Sequence, residues 1–320
     1  MPQPPAPPSP SPPPADRPDP SDRSGPSELP ELSSPCDRPV GVFDSGVGGL
    51  TVVRAVLKRL PAEQLVYLGD TARVPYGTRS AQTVLRYSRN ASRFLLQKGV
   101  KLVLIACNTA SAAALPGLRD ELSVGVLGAV EPGAWAAAQA TRSGAVGVIG
   151  TLATVRSGAY ERALKELDPA LSVHTMACPL LVPLVEEGWT AEDEPVSELV
   201  VRRYLGELAA RAPALDTLVL GCTHYPLLRP VLHRVAGELW GRDITLVDSA
   251  EAMAEAAARE LERRGLLRQA PAPDEPAVSA PGGRRATDRL RCFVTDEARV
   301  AEVAARFLGR APERIELCDL

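Results

Sequence analysis

From Pro39 onward, short apolar runs alternate with longer stretches of helical period. PVGVF, LVYL, LVLIA, VGVLG, AVGVIG, LVLG and ITLVD read as strands buried on both faces, each followed by an amphipathic or alanine-rich stretch. This alternation predicts an α/β fold of parallel sheets with helices on both faces. RCFVTD, EARVAEVAARFLG and RIELCDL continue it as strand, helix and strand, a tail expected to rejoin the first domain. In such sheets ligands gather beyond the carboxyl ends of the strands, so chemistry is expected in the residues directly after each run.

Two stretches break the pattern. Residues 1–38 are mostly Pro, Ser, Asp and Arg, and cannot bury enough apolar surface to offset the entropy of ordering them. They are expected to form a disordered tail, with Cys36 an incidental thiol. Residues 268–289, rich in Pro, Ala and Gly, read as an exposed loop. The rest suffices for two α/β domains, placed at 39–131 plus 241–320 and at 132–240.

Composition then narrows the function. With 36 basic and 39 acidic residues well mixed, and a net charge of −3, no extended positive surface is expected, so nucleic acid is not the anticipated partner. No apolar run approaches the roughly 20 residues that span a bilayer, and the start has no basic segment leading into an apolar one. No membrane association is expected, and the cytoplasm is the expected compartment. Six cysteines, at 36, 107, 178, 222, 292 and 318, never form a CxxC pair, which disfavours a disulfide framework and a zinc ribbon. The three histidines, His174 in a strand, His224 and His233, leave little room for a mechanism that needs several imidazoles.

Six clusters fall at strand ends: Asp44-Ser45-Gly46, Pro75-Tyr76-Gly77, Cys107-Asn108-Thr109, Thr151 to Thr154, Glu186, and Cys222-Thr223-His224. VLIACNT and LVLGCTH share one plan, aliphatic residues, a small residue, Cys, then two hydrogen-bonding residues, once in each half. Two related domains facing across a cleft would bring these thiols to it from opposite sides. Inverting a carbon that bears hydrogen needs that arrangement, a base on one face and an acid on the other. A free thiol is only roughly 3% thiolate at neutral pH, but a pair can hold one thiol and one thiolate and exchange the two states at each turnover. His224 is placed to tune Cys222, and Asp44 to accept the Cys107 proton. Ser45, Asn108, Thr109 and Thr223 offer neutral hydrogen bonds for carboxylate oxygens, together with loop N–H groups.

Simpler readings stand beside these. Asp44-Ser45-Gly46 also reads as a helix cap, Tyr76 as an ordinary turn residue, Glu186 as half of a solvated acidic pair, and Thr151 and Thr154 as the start of a helix. The glycines at 46, 48 and 49 do not complete a dinucleotide fingerprint, because Thr51 occupies the third glycine position.

DSGVGGL, GDTARVPYG, ACNTAS, IGTLATVRSGAY, PLVEEG and GCTHYPLL, in this order, resemble the glutamate racemases of the aspartate/glutamate racemase superfamily. The resemblance covers nearly all of Pro39 to Leu320; the Pro-rich start and the long loop depart from it. It implies two pseudo-symmetric domains with the active site between them, no cofactor, no metal, a homodimer, and D-glutamate made for peptidoglycan. It also implies that Cys107 and Cys222 are the donor/acceptor pair, the first serving D-glutamate and the second L-glutamate. Asp44, His224 and Glu186 would assist them. Asp44, Ser45, Tyr76, Gly77, Asn108, Thr109, Thr223 and His224 would hold the substrate. Three rivals remain open at this point: a racemase for aspartate, a hydantoin or another small acid, a non-catalytic binding protein, and a metal site built from Cys107, Cys178, Cys222 and His224.

Overall fold

The computed structural model describes residues 34–269 and 289–320. Ten strands are present among them: β1 Val40–Asp44, β2 Leu65–Gly69, β3 Leu102–Ile105, β4 Gly125–Gly128, β5 Ala145–Gly150, β6 Ser172–Ala177, β7 Thr217–Gly221, β8 Thr245–Asp248, β9 Leu290–Val294 and β10 Ile315–Leu317. They form two all-parallel sheets, one of order β10-β9-β2-β1-β3-β4 and one of order β6-β5-β7-β8. The helices are α1 Leu50–Arg59, α2 Ala81–Gln97, α3 Asn108–Glu121, α4 Val130–Ala140, α5 Leu152–Arg156, α6 Ala159–Leu167, α7 Leu181–Glu186, α8 Pro195–Arg211, α9 Arg229–Trp240, α10 Ser249–Arg263 and α11 Val300–Leu308. None of these helices is long and apolar enough to cross a membrane.

Local chemistry starts several helices where the sequence turns polar. Ser80 Oγ accepts from Thr83 N ahead of α2, and Asp248 Oδ1 accepts from Ala250 N ahead of α10. The interior strands β1, β3 and β7 are buried along their whole length, which is why they stand out as aliphatic runs. The edge strand β6 is only partly covered, and its sequence, SVHTMA, shows no such run.

β2-β1-β3-β4 and β6-β5-β7-β8 are visited in the same order, so the two halves repeat one topology. In each, strand order reverses once, between β1 and β3 in the first sheet and between β5 and β7 in the second. A crevice opens at such a switch point beyond the carboxyl ends. Asp44 ends β1 and Cys107 follows β3 at the first switch point; Thr151 follows β5 and Cys222 follows β7 at the second.

Two expected boundaries are corrected. The sequence placed everything from 241 in the first domain, yet β8 pairs with β7, with Thr217 opposite Thr245. A β-α-β crossover sets the next parallel strand beside the previous one, and α9 makes that crossover. The return to the first sheet comes one element later, in α10, which packs on α1 and α4. The expected tail also ends earlier than Arg38. Pro35–Asp37 form a 3-10 turn, and the Cys36 carbonyl accepts from Lys101 Nζ at 2.6 Å. Residues 1–33, and 270–288 of the expected loop, lie outside the described residues.

Lys101 is the hub of this lower edge. Its buried ammonium meets the Glu63 carboxylate at 2.8 Å and donates to the carbonyls of Cys36 and Leu266. Arg268 N also donates to Glu63 Oε1. One ion pair therefore ties the entry to β1, the loop before β2, the start of β3 and the exit of α10. Removing one member leaves a buried charge without its partner, so Lys101→Met is expected to cost about 3–5 kcal/mol. In urea unfolding the midpoint should fall and the slope should not change, with Lys101→Met/Glu63→Leu recovering most of the loss. A single variant as stable as the parent would contradict this role.

Candidate active site

Cys107 caps α3: its Sγ accepts from Ala110 N at 3.5 Å, and the thiol donates to Ser45 Oγ at 3.5 Å. Across the molecule, Cys222 Sγ lies 3.9 Å from His224 Nδ1, and His224 Nε2 lies 3.0 Å from Glu186 Oε1. The imidazole is thus the middle member of a relay from carboxylate to sulfur. Thr223 Oγ1 sits 3.3 Å from the same Nδ1.

The loop Asp44 to Gly49 runs between the two cysteine clusters. At its start Asp44 is buried, with Oδ2 accepting from Gly46 N and Oδ1 buried without a hydrogen-bond partner. At its far end Gly48 is pressed against Thr223 and His224, and a Cβ there would sit 2.6 Å from the imidazole. Only glycine leaves room for that approach. Thr51 Oγ1 then donates to the Thr223 carbonyl at 3.2 Å.

Two further bridges join the strand ends of the two sheets. Tyr160 on α6 donates its hydroxyl to Asn108 Oδ1 at 2.6 Å, and Asn108 Nδ2 donates to Ser249 Oγ, which donates to the Leu220 carbonyl. Thr109, Thr151 and Thr154 form a triangle of hydroxyls, with edges of 2.9, 3.0 and 3.1 Å. Gly77 faces Thr151, where a Cβ would be 3.0 Å from the Thr151 Cβ.

Comparison with known proteins gives the family. Residues 41–257 match the Asp/Glu/Hydantoin racemase model. The chain belongs to that family. A glutamate racemase of Geobacter metallireducens is 54% identical over 231 residues, 72% of this chain and 83% of its own. A glutamate racemase of Bacillus anthracis has a crystal structure similar to this one, with a TM-score of 0.77 and 38% identity over 88% of this chain and 98% of its own. A glutamate racemase of Francisella tularensis, solved in complex with D-glutamate, matches with a TM-score of 0.75 and 30% identity over 89% and 98%. This racemase is accordingly an isomerase.

The electrostatics of the racemase differ between its two sulfurs. Burial, then the charge of Asp44, push the Cys107 thiol up to about 12, against the hydrogen bonds it shares with Ser45 Oγ and Ala110 N. Asp44 is itself raised, first by burial, with His224 and loop N–H groups opposing. At His224 burial pulls downward, but hydrogen bonds and charge from Cys222 and Glu186 outweigh it and raise the imidazole to about 10. Cys107 is therefore a protonated thiol in this state of the site, and His224 holds its proton beside Cys222. Asp44 acts electrostatically on both Cys107 and His224, and Cys222 on Cys107, which ties the two clusters into one site.

Some of these side chains have protein partners that the sequence does not show. The Asn108 amide accepts from Tyr160 and donates to Ser249, and its backbone N–H, which has no partner within α3 because it opens the helix, is free for a ligand. Tyr76 is buried with its hydroxyl on Asp70 Oδ2, at 2.5 Å, which leaves the backbone and Gly77 toward Thr151. Asp70 was passed over although it follows β2; it also accepts from Thr295 Oγ1. Thr151 and Thr154 read as a helix start, and Thr151 does cap α5, but the same hydroxyls reach Thr109. Tyr160 closes the motif IGTLATVRSGAY but was given no role from the sequence, and nothing in the sequence marked Ser249. Among the described residues no three His, Cys, Asp or Glu side chains are grouped to hold a metal.

Removing the Asp44 charge removes a negative neighbour of Cys107, which favours the thiolate there. In Asp44→Asn, alkylation of Cys107 followed by peptide mass spectrometry should therefore reach half-maximal rate at a lower pH than in the parent. A midpoint that stays put or rises would contradict the assignment.

Proposed function

We propose that this racemase interconverts L- and D-glutamate by moving protons between substrate and two cysteines, with no pyridoxal phosphate or metal needed for the chemistry. The observation that carries the reading is the Asp44 to Gly49 loop, which touches the Cys107 side through Ser45 and the Cys222 side through Gly48. The relatives named as glutamate racemases, one of them holding D-glutamate, support the choice of substrate.

In the L-to-D direction Cys222 takes the α-hydrogen and Cys107 returns one to the opposite face; the reverse direction exchanges the roles. Cys222 is assisted by His224, which passes charge on to Glu186. Cys107 is assisted by Asp44, whose unpartnered Oδ1 is an open acceptor for the thiol proton. As the α-carbon loses hydrogen, charge grows on the substrate carboxylate. Hydrogen-bond donors fixed in a buried site stabilise that charge without reorganising. The donors are the N–H groups of Ser45, Gly77, Asn108 and Thr109, with the hydroxyls of Ser45, Thr109 and Thr223. The product, D-glutamate, would serve peptidoglycan synthesis in the cytoplasm, and a homodimer is the expected assembly.

Each single change, Cys107→Ser or Cys222→Ser, should lower kcat for glutamate by about 10²–10⁴-fold, the range for a general acid or base, with an unaltered circular dichroism spectrum. Glutamate should racemise faster than aspartate in the parent. Parent-like turnover in either variant would end the two-cysteine reading, and a preference for aspartate would end the choice of substrate.

A further inference from the structure

α11 lies between β9 and β10 of the six-stranded sheet, yet two of its side chains grip the relay beside Cys222. Glu186 is the last residue of the short α7, and its carbonyl is one of those a helix leaves without an internal partner. Arg306 of α11 fills that need, Nη1 donating to Glu186 O at 2.5 Å. The guanidinium lies over Gly188, which has φ +81°, and a Cβ there would fall 2.9 Å from Arg306 Cζ. Glycine suits the left-handed backbone, and a side chain here would displace the guanidinium from its place. One residue along from Glu186, the Glu187 carboxylate pairs with Arg299, the residue just before α11, at 3.0 Å. Phe307, the neighbour of Arg306, packs edge-on against the imidazole of His224, with centroids 4.9 Å apart and planes at 75°.

We propose that Arg306 is a positioning residue for the Cys222 half of the reaction: it fixes the end of α7, and thereby the Glu186 carboxylate that orients His224 against Cys222. The proposal rests on the two-cysteine reading. Arg306 touches neither sulfur, and its other hydrogen bond, to Glu302, lies on the surface of its own helix. Cys107 donates to Ser45 Oγ and accepts from Ala110 N instead, so the effect of Arg306 should fall on one of the two proton transfers.

That one-sidedness is measurable. Enantiomers have equal free energy, so any variant loses kcat/KM equally in both directions, and the directional signal appears in the isotope effects. Arg306→Ala should lower kcat/KM about tenfold, as expected for loss of one charge-assisted hydrogen bond. The primary isotope effect on kcat/KM with α-deuterated L-glutamate, whose hydrogen leaves to Cys222, should rise, and that with α-deuterated D-glutamate should fall. Arg306→Lys, which keeps a donor for the carbonyl, should restore part of the rate, and Gly188→Ala should shift the two isotope effects as Arg306→Ala does. An unchanged kcat/KM in Arg306→Ala, or a loss in which both isotope effects stay fixed or move together, would overturn the positioning role. Cys222→Ser assayed alongside separates the two ideas. If it is inactive while Arg306→Ala shows no directional change, only the positioning role fails; if it turns over normally, the two-cysteine reading fails first.

Discussion

The hydrogen bond from Tyr160 to Asn108 is the interaction on which the site's geometry depends. Both groups are buried, and each belongs to a different sheet's set of helices. A buried hydroxyl or amide left without a partner costs about 1–3 kcal/mol, so the two strand-end surfaces must meet in the one register that satisfies both groups. The amide then continues through Ser249 to a carbonyl of β7, the strand that leads into Cys222. A single polar chain thus runs from the residue after one cysteine to the strand before the other. The threonine triangle repeats the connection from Thr109 to the start of α5. With polar partners this specific at the seam, sliding one sheet over the other would strand several of them together.

On that fixed seam the two cysteines have different surroundings. Cys107 has the terminus of a long helix and a serine hydroxyl in its favour, but burial and a carboxylate against it, and the latter pair wins. Cys222 has a buried imidazole whose proton is held by a carboxylate on the far side. On the proposed mechanism, a reaction that is thermodynamically even would be run by two acid/base groups in uneven surroundings, each matched to its own face of the substrate. The unevenness extends outward: α11, built from the first sheet, buttresses the second cysteine's partners.

The sequence showed clearly whatever was buried on both sides or fixed at a strand end. Interior strands appear as aliphatic runs because both faces are covered, and Asp44, Cys107 and Cys222 appear because they directly follow such runs. β6 was faint since an edge strand is partly exposed and needs no run, and the sheet membership of β8 depended on a crossover that composition does not reveal. Side-chain direction was the least legible. Asn108 and Tyr76 are polar residues at the right places, yet each spends its side chain on a buried partner far along the chain or in the adjacent loop. Tyr160, Ser249 and Arg306 lie far in sequence from the groups they hold, and only the fold brings them together.

The central claim is that hydrogen leaves one face of the substrate to one sulfur and arrives on the other face from a second. Racemisation of unlabelled glutamate in heavy water, stopped early and analysed by enantiomer, tests this directly. Deuterium should appear at the α-carbon of the product enantiomer, while the recovered substrate keeps its original hydrogen. Product that retains substrate hydrogen, or substrate and product labelled at equal rates, would point to one shared base and contradict the account.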